Sequence, residues 1–204
     1  MLAIAWDTSA IALERTSFPM LEMVYIYLPP NLYGSHSLSI WDMPHLRAVS
    51  LEGPNVAACM NFLFAVQSRI EYLRISTNNT YGSERMLPHA GDFTRLTSVF
   101  IAVYHGSFRV ASFLPTLIQS INAPQLRCVG FYGIRPADHP TNELIGYVNM
   151  AINTYRKLGT IHLEGSEELM QRGGTLLEGA VTNWCKGGLQ VNVRCGTTWT
   201  MYTA

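Results

Sequence analysis

The stretch Met43–Gly53 reads Met-Pro-His-Leu-Arg-Ala-Val-Ser-Leu-Glu-Gly, and its apolar positions decide the fold. Leu46, Val49 and Leu51 make the pattern apolar-x-x-apolar-x-apolar. Val49-Ser50-Leu51 alternates as a half-buried strand does. Pro44 stands two residues before Leu46; its fixed φ and missing donor suit a turn that leads into a strand. Glu52-Gly53-Pro54 reads as the turn that ends it. The same pattern occurs at Leu21–Val24–Ile26, Ile70–Leu73–Ile75, Leu96–Val99–Ile101, Leu126–Val129–Phe131 and Leu158–Ile161–Leu163. Successive copies start 25, 24, 26, 30 and 32 residues apart. A weaker seventh copy is Leu189–Val191–Val193. Such a period predicts stacked repeats rather than one undivided core.

The lead-in turn recurs as Phe18-Pro19 and Ala123-Pro124, with Phe93 holding the place before Leu96. Between strands, apolar residues fall three or four apart. Asn55–Gln67, Ser107–Ile121, Thr141–Lys157 and Ser166–Trp184 are the expected helices. Pro115 should kink or divide the second. Leu144, Tyr147, Val148, Ala151, Ile152 and Tyr155 form the buried stripe of the third. Ser166 should cap the fourth, with Glu167 and Glu168 at its positive end, and Gly173-Gly174 should interrupt it. Leu28 to Met43 reads as an irregular convex segment.

One strand and one helix cannot cover their own apolar face, so each unit buries it against the next. The expected architecture is α/β: a leucine-rich-repeat solenoid of about six to seven irregular units. A curved parallel sheet would line its concave side and helices its convex side. Residues 18–204 form the repeat domain. Residues 1–17, which show no polar capping unit, read as an incomplete N-terminal repeat or a truncated segment.

Apolar residues make up 48% of the chain and charged ones 14%, the latter well under the usual quarter or so. Wholesale disorder is thereby disfavoured, and a surface so poor in charge favours protein partners. Fourteen basic residues balance fourteen acidic ones. That argues against nucleic acid or an anionic membrane, which need clustered Lys and Arg. Cys59, Cys128, Cys185 and Cys195 form no C-x-x-C pair and read as reduced thiols, with a Cys185–Cys195 bridge as the alternative. Met1–Trp6 lacks the basic residues and length of a secretory signal, and Asn78-Asn79-Thr80 then matches the glycosylation pattern by chance. A cytoplasmic or nuclear location is expected.

The stretches FPMLEMVYI, MPHLRAVSLEG and APQLRCVGFYG resemble the P-x-L-x-x-L-x-L strand units of leucine-rich-repeat regions in F-box proteins, most closely the divergent fungal sets. The resemblance runs from Phe18 to about Leu163. It implies a substrate-recruiting role beside a cullin-type ubiquitin ligase, to which an F-box would dock. The residues before Phe18 do not resemble an F-box, so a ligase adaptor is expected as partner only if an F-box precedes them.

Strand alternation assigns an open face. Tyr25, Tyr27, Tyr72, Arg74, Phe100, Tyr132, His162 and Glu164 are its candidate binding residues, because tyrosine, other aromatics and arginine dominate interface anchors. Met23, Ala48, Ser50, Glu52, Ser76, Ser98, Ala102, Cys128, Gly130 and Thr160 share that face. No His, Cys or acidic cluster has metal-ligand spacing; His36, His45, His89, His105, His139 and His162 are scattered. There is no G-x-S-x-G, and Lys186-Gly187-Gly188 does not match a phosphate loop. Asp42, Asp92 and Asp138 read as isolated turn formers. No catalytic residue, metal or cofactor is expected. The expected function is a non-enzymatic protein-interaction module recruiting an unknown protein. The alternatives are an autonomous repeat scaffold, a truncated family remnant, or an α/β enzyme with a site the sequence does not display.

Overall fold

The computed structural model describes residues 2–5, 17–27, 42–53, 60–76, 91–102, 110–134, 141–165 and 168–203. Among these residues the protein is α/β, with one nine-stranded sheet whose strands follow in chain order. The strands are β1 (Leu2–Ala5), β2 (Met23–Tyr27), β3 (Ala48–Glu52), β4 (Tyr72–Ser76), β5 (Ser98–Ala102), β6 (Cys128–Ile134), β7 (Thr160–Gly165), β8 (Gln190–Cys195) and β9 (Thr198–Tyr202). β1 to β8 are parallel; β9 folds back antiparallel on β8. The described helices are α1 (Met60–Val66), α2 (Val110–Ser120), α3 (Thr141–Thr154) and α4 (Glu168–Lys186).

All six copies of the pattern, and the weaker seventh, lie side by side in one register. Val24, Val49, Leu73, Val99, Val129, Ile161 and Val191 form one row across the sheet. Ile26, Leu51, Ile75, Ile101, Phe131, Leu163 and Val193 form the next. No residue of either row is more than 2% exposed. These rows pack with Phe62, Leu63 and Val66 of α1, Leu114, Leu117 and Ile118 of α2, Leu144 and Val148 of α3, and Leu177 and Val181 of α4 in a single core. One face of the sheet therefore carries the helices and the other is open.

The lead-in turn is a repeated hydrogen-bond device. The carbonyls of Phe18, Met43, Phe93, Ala123 and Tyr155 accept from the N–H of Leu21, Leu46, Leu96, Leu126 and Leu158, at 3.1–3.3 Å. Just before each strand, one carbonyl then takes two N–H groups of the following unit. Glu22, Arg47, Glu71, Thr97 and Arg127 do this at 2.7–3.1 Å. Each unit is thus tied to its sequence neighbour by backbone bonds that do not depend on side-chain identity, which lets a stack of variable side chains hold one register.

Several expectations need correction. α2 runs through Pro115 as one helix and is not divided there. α4 is interrupted as expected, at Gly174, whose φ of 48° falls where glycine carries no Cβ penalty. Asp42 and Asp92 are not isolated: Asp42 bridges Ser17, and Asp92 bridges Asn122. Asn122 Nδ2 donates to Asp92 Oδ1 at 2.6 Å. β1 extends the sheet within a segment that has no copy of the pattern, pairing Leu2–Ala5 with Val24–Tyr27. Cys128, Cys185 and Cys195 are free thiols, and burial pushes the Cys128 thiol up to about 11. The stretches 28–41, 54–59 and 166–167, the Asn78-Asn79-Thr80 match, Asp138 and four histidines (His36, His89, His105, His139) lie outside the described residues.

Candidate binding face

Alternation sends every second strand residue to the open face, and the register arranges them in rows. The central row runs Tyr25, Ser50, Arg74, Phe100, Gly130, His162, Asn192, Met201. Met23, Ala48, Tyr72, Ser98, Cys128, Thr160 and Gln190 lie one step toward the strand starts.

An aromatic band crosses these rows. The rings of Tyr72 and Phe100 stack, 5.3 Å between centroids and 29° between planes. Phe100 meets His162 at 5.6 Å although a strand lies between them. Gly130 makes this reach feasible: a Cβ there would stand 2.3 Å from Phe100 Cδ1, so the ring lies directly on the glycine backbone. His162 in turn meets the Trp199 ring edge-on at 6.0 Å. Burial between these rings pushes the His162 imidazole below its usual range, because desolvation disfavours the charged ring. Asn192 Nδ2 lies 3.5 Å from His162 Nε2, a contact that a lone pair on the neutral ring can accept.

Charged groups flank the band. The Arg74 guanidinium lies 4.3 Å above the Tyr132 ring. Glu164 and Arg194 pair at 3.2 Å, and Arg194 also sits 5.6 Å over the Trp199 ring. At the other side Tyr25 Oη donates to Glu52 Oε2 at 2.6 Å. That hydrogen bond to a carboxylate, with burial second, pushes the Tyr25 hydroxyl up to about 12.

Seven of the eight candidate residues are at least partly open to solvent: Tyr25, Tyr27, Tyr72, Arg74, Phe100, His162 and Glu164. Tyr132 is the correction. It is 6% exposed, and its hydroxyl donates to the carbonyl of Ile75 at 3.3 Å. Its strand partner is Ala102, so the ring crosses β5 over a small side chain to reach β4. Ser76 and Ala102, assigned to the same face, are buried too. The sequence offers Tyr132 as a surface residue, whereas it serves as the floor under Arg74. Ala48 and Gly130 are also buried.

Trp199, Met201, Asn192 and Arg194 belong to the face but are missing from the candidate set. Gln190–Cys195, a Gly196-Thr197 turn and Thr198–Tyr202 make a period-2 hairpin signal, which a search for parallel repeats passes over.

Comparison with family models, with curated proteins and with solved structures finds no match to this chain. No His, Cys or acidic group of three or more among the described residues is arranged to hold a metal ion. No helix among them is long and apolar enough to cross a membrane.

Proposed function

We propose that the chain is a non-enzymatic protein-interaction module, a leucine-rich-repeat solenoid whose open sheet face holds a protein partner. One observation carries this reading: the continuous band Tyr72–Phe100–His162–Trp199, with Arg74 held over the Tyr132 ring beside it. Large amphipathic rings and a positioned arginine are the groups that anchor protein interfaces. Their mutual contacts restrict the side chains before a partner arrives, so less rotamer freedom is lost on binding. The resemblance to F-box repeat regions extends the proposal: the face recruits a substrate to a ubiquitin ligase.

The test uses the full gene product and photo-crosslinking from the open face. A Tyr72→Ser, Arg74→Ala double variant should weaken the captured complex about tenfold or more. Leu176→Ser, at an exposed site on α4, should leave it unchanged. Equal loss from both variants would refute the face. Captured partners without any cullin-type ligase adaptor would remove the ubiquitin part and leave an autonomous scaffold.

A further inference from the structure

β9 ends the sheet, and among the described residues no strand pairs with its outer edge. Thr198, Trp199, Thr200 and Met201 are all exposed, with Trp199 and Met201 at 53% and 67%. Edge strands are ordinarily protected by charge, proline or a bulge. β9 reads Thr-Trp-Thr-Met-Tyr, without a charged residue or a proline, and its register with β8 runs unbroken over five pairs.

The turn determines which backbone groups face outward. Cys195 pairs with Thr198 across Gly196-Thr197, and Gly196 has φ of 60°, as a two-residue turn with glycine first requires. The closing pair of such a hairpin exchanges both its hydrogen bonds. Alternation then turns the N–H and C=O of Thr198, Thr200 and Tyr202 toward β8. Those of Trp199 and Met201 point away from the sheet.

We propose that β9 pairs antiparallel with β9 of a second copy of this chain, about a two-fold axis at Thr200. In that register Trp199 of each copy stands opposite Met201 of the other. Both carry outward-pointing backbone groups, so each such pair exchanges two hydrogen bonds. Both side chains lie on the open face, where the thioether meets the indole. The two largest exposed apolar side chains of this edge are covered together. Thr200 meets Thr200 on the helix side, a favourable cross-strand pair. β9 itself carries no charge, and Arg194, the strand partner of Trp199, is already paired with Glu164. The contact is self-complementary, as a two-fold interface must be. It joins two sheets into one and places the two open faces side by side.

Five residues a side is small for an interface, so the full chain is studied by sedimentation over a concentration series. A concentration-dependent dimer is expected. Thr200→Glu and Thr200→Lys should each shift it to monomer by placing like charges at the axis, and an equimolar mixture of the two should restore a dimer. Circular dichroism checks that each variant is folded. Thr200→Cys should form a covalent dimer under mild oxidation, since opposed residues of this pair type stand about 4.5 Å apart; Thr175→Cys on α4 should not. A wild-type chain that stays monomeric up to about 0.5 mM, or an assembly that Thr200→Glu leaves intact, overturns the proposal.

Discussion

At the scale of the residue, neighbours in sequence have opposite fates. Leu73 is 1% exposed within a core row, while Arg74 is exposed on the far side of the same strand. Leu73→Ala should cost roughly 2–5 kcal/mol, the range for a buried leucine truncated in a core that cannot collapse. Arg74→Ala gives up its contact with the Tyr132 ring, and an exposed cation–π pair contributes about 0.5–1 kcal/mol. Urea unfolding of both variants checks the ranking. Arg74 and Leu73 could be told apart from sequence alone, because strand alternation needs only one correctly placed core residue. Tyr132 could not. Its side chain lies down across the sheet to a carbonyl two strands away, and that depends on Ala102 being small.

At the scale of the element, β6 departs most from its siblings. It is the longest strand, its pairing with β7 shifts between Phe131 and Ile134, and four consecutive residues in it are buried. Gly130 is central to this, since the Phe100 ring occupies the space a side chain would need. Gly130→Ala should destabilise the protein by about 1–3 kcal/mol as an overpacking change. In a Phe100→Ala background the same substitution should cost much less, because the clashing ring is gone. A double-mutant cycle from denaturant midpoints checks this; additive effects would show that the ring does not rest on the glycine. The helices were easier to foresee than their details. Of the α3 stripe, Leu144, Tyr147, Val148 and Ala151 are buried, Tyr155 is buried just past the helix end, and Ile152 is half-buried. The continuity of α2 through Pro115 depends on surroundings that local propensity does not include.

At the scale of the whole molecule, each unit touches its sequence neighbours, and stability is distributed along a line. The end holding β8 is secured twice, by α4 packed on the core and by the antiparallel cover of β9. Among the described parallel strands, β1 alone has a strand neighbour on one side only. Amide hydrogen exchange should therefore show β1 opening with the least free energy, and β6, β7 and β8 exchanging only through the largest openings. Uniform protection from β2 to β8 would indicate a single all-or-none unit instead.

The apolar period and its lead-in prolines were sufficient to determine the parallel strand order, the register and the helix-covered face. A residue buried on both sides by identical neighbours has one environment, and local pattern encodes it. Tertiary structure alone decided the rest: the strand at Leu2–Ala5, the Asp92–Asn122 bridge, the floor beneath Arg74, and the contact of Trp199 with His162. Each of these pairs groups from different units, and their meeting depends on distances across the sheet that no periodicity along the chain records.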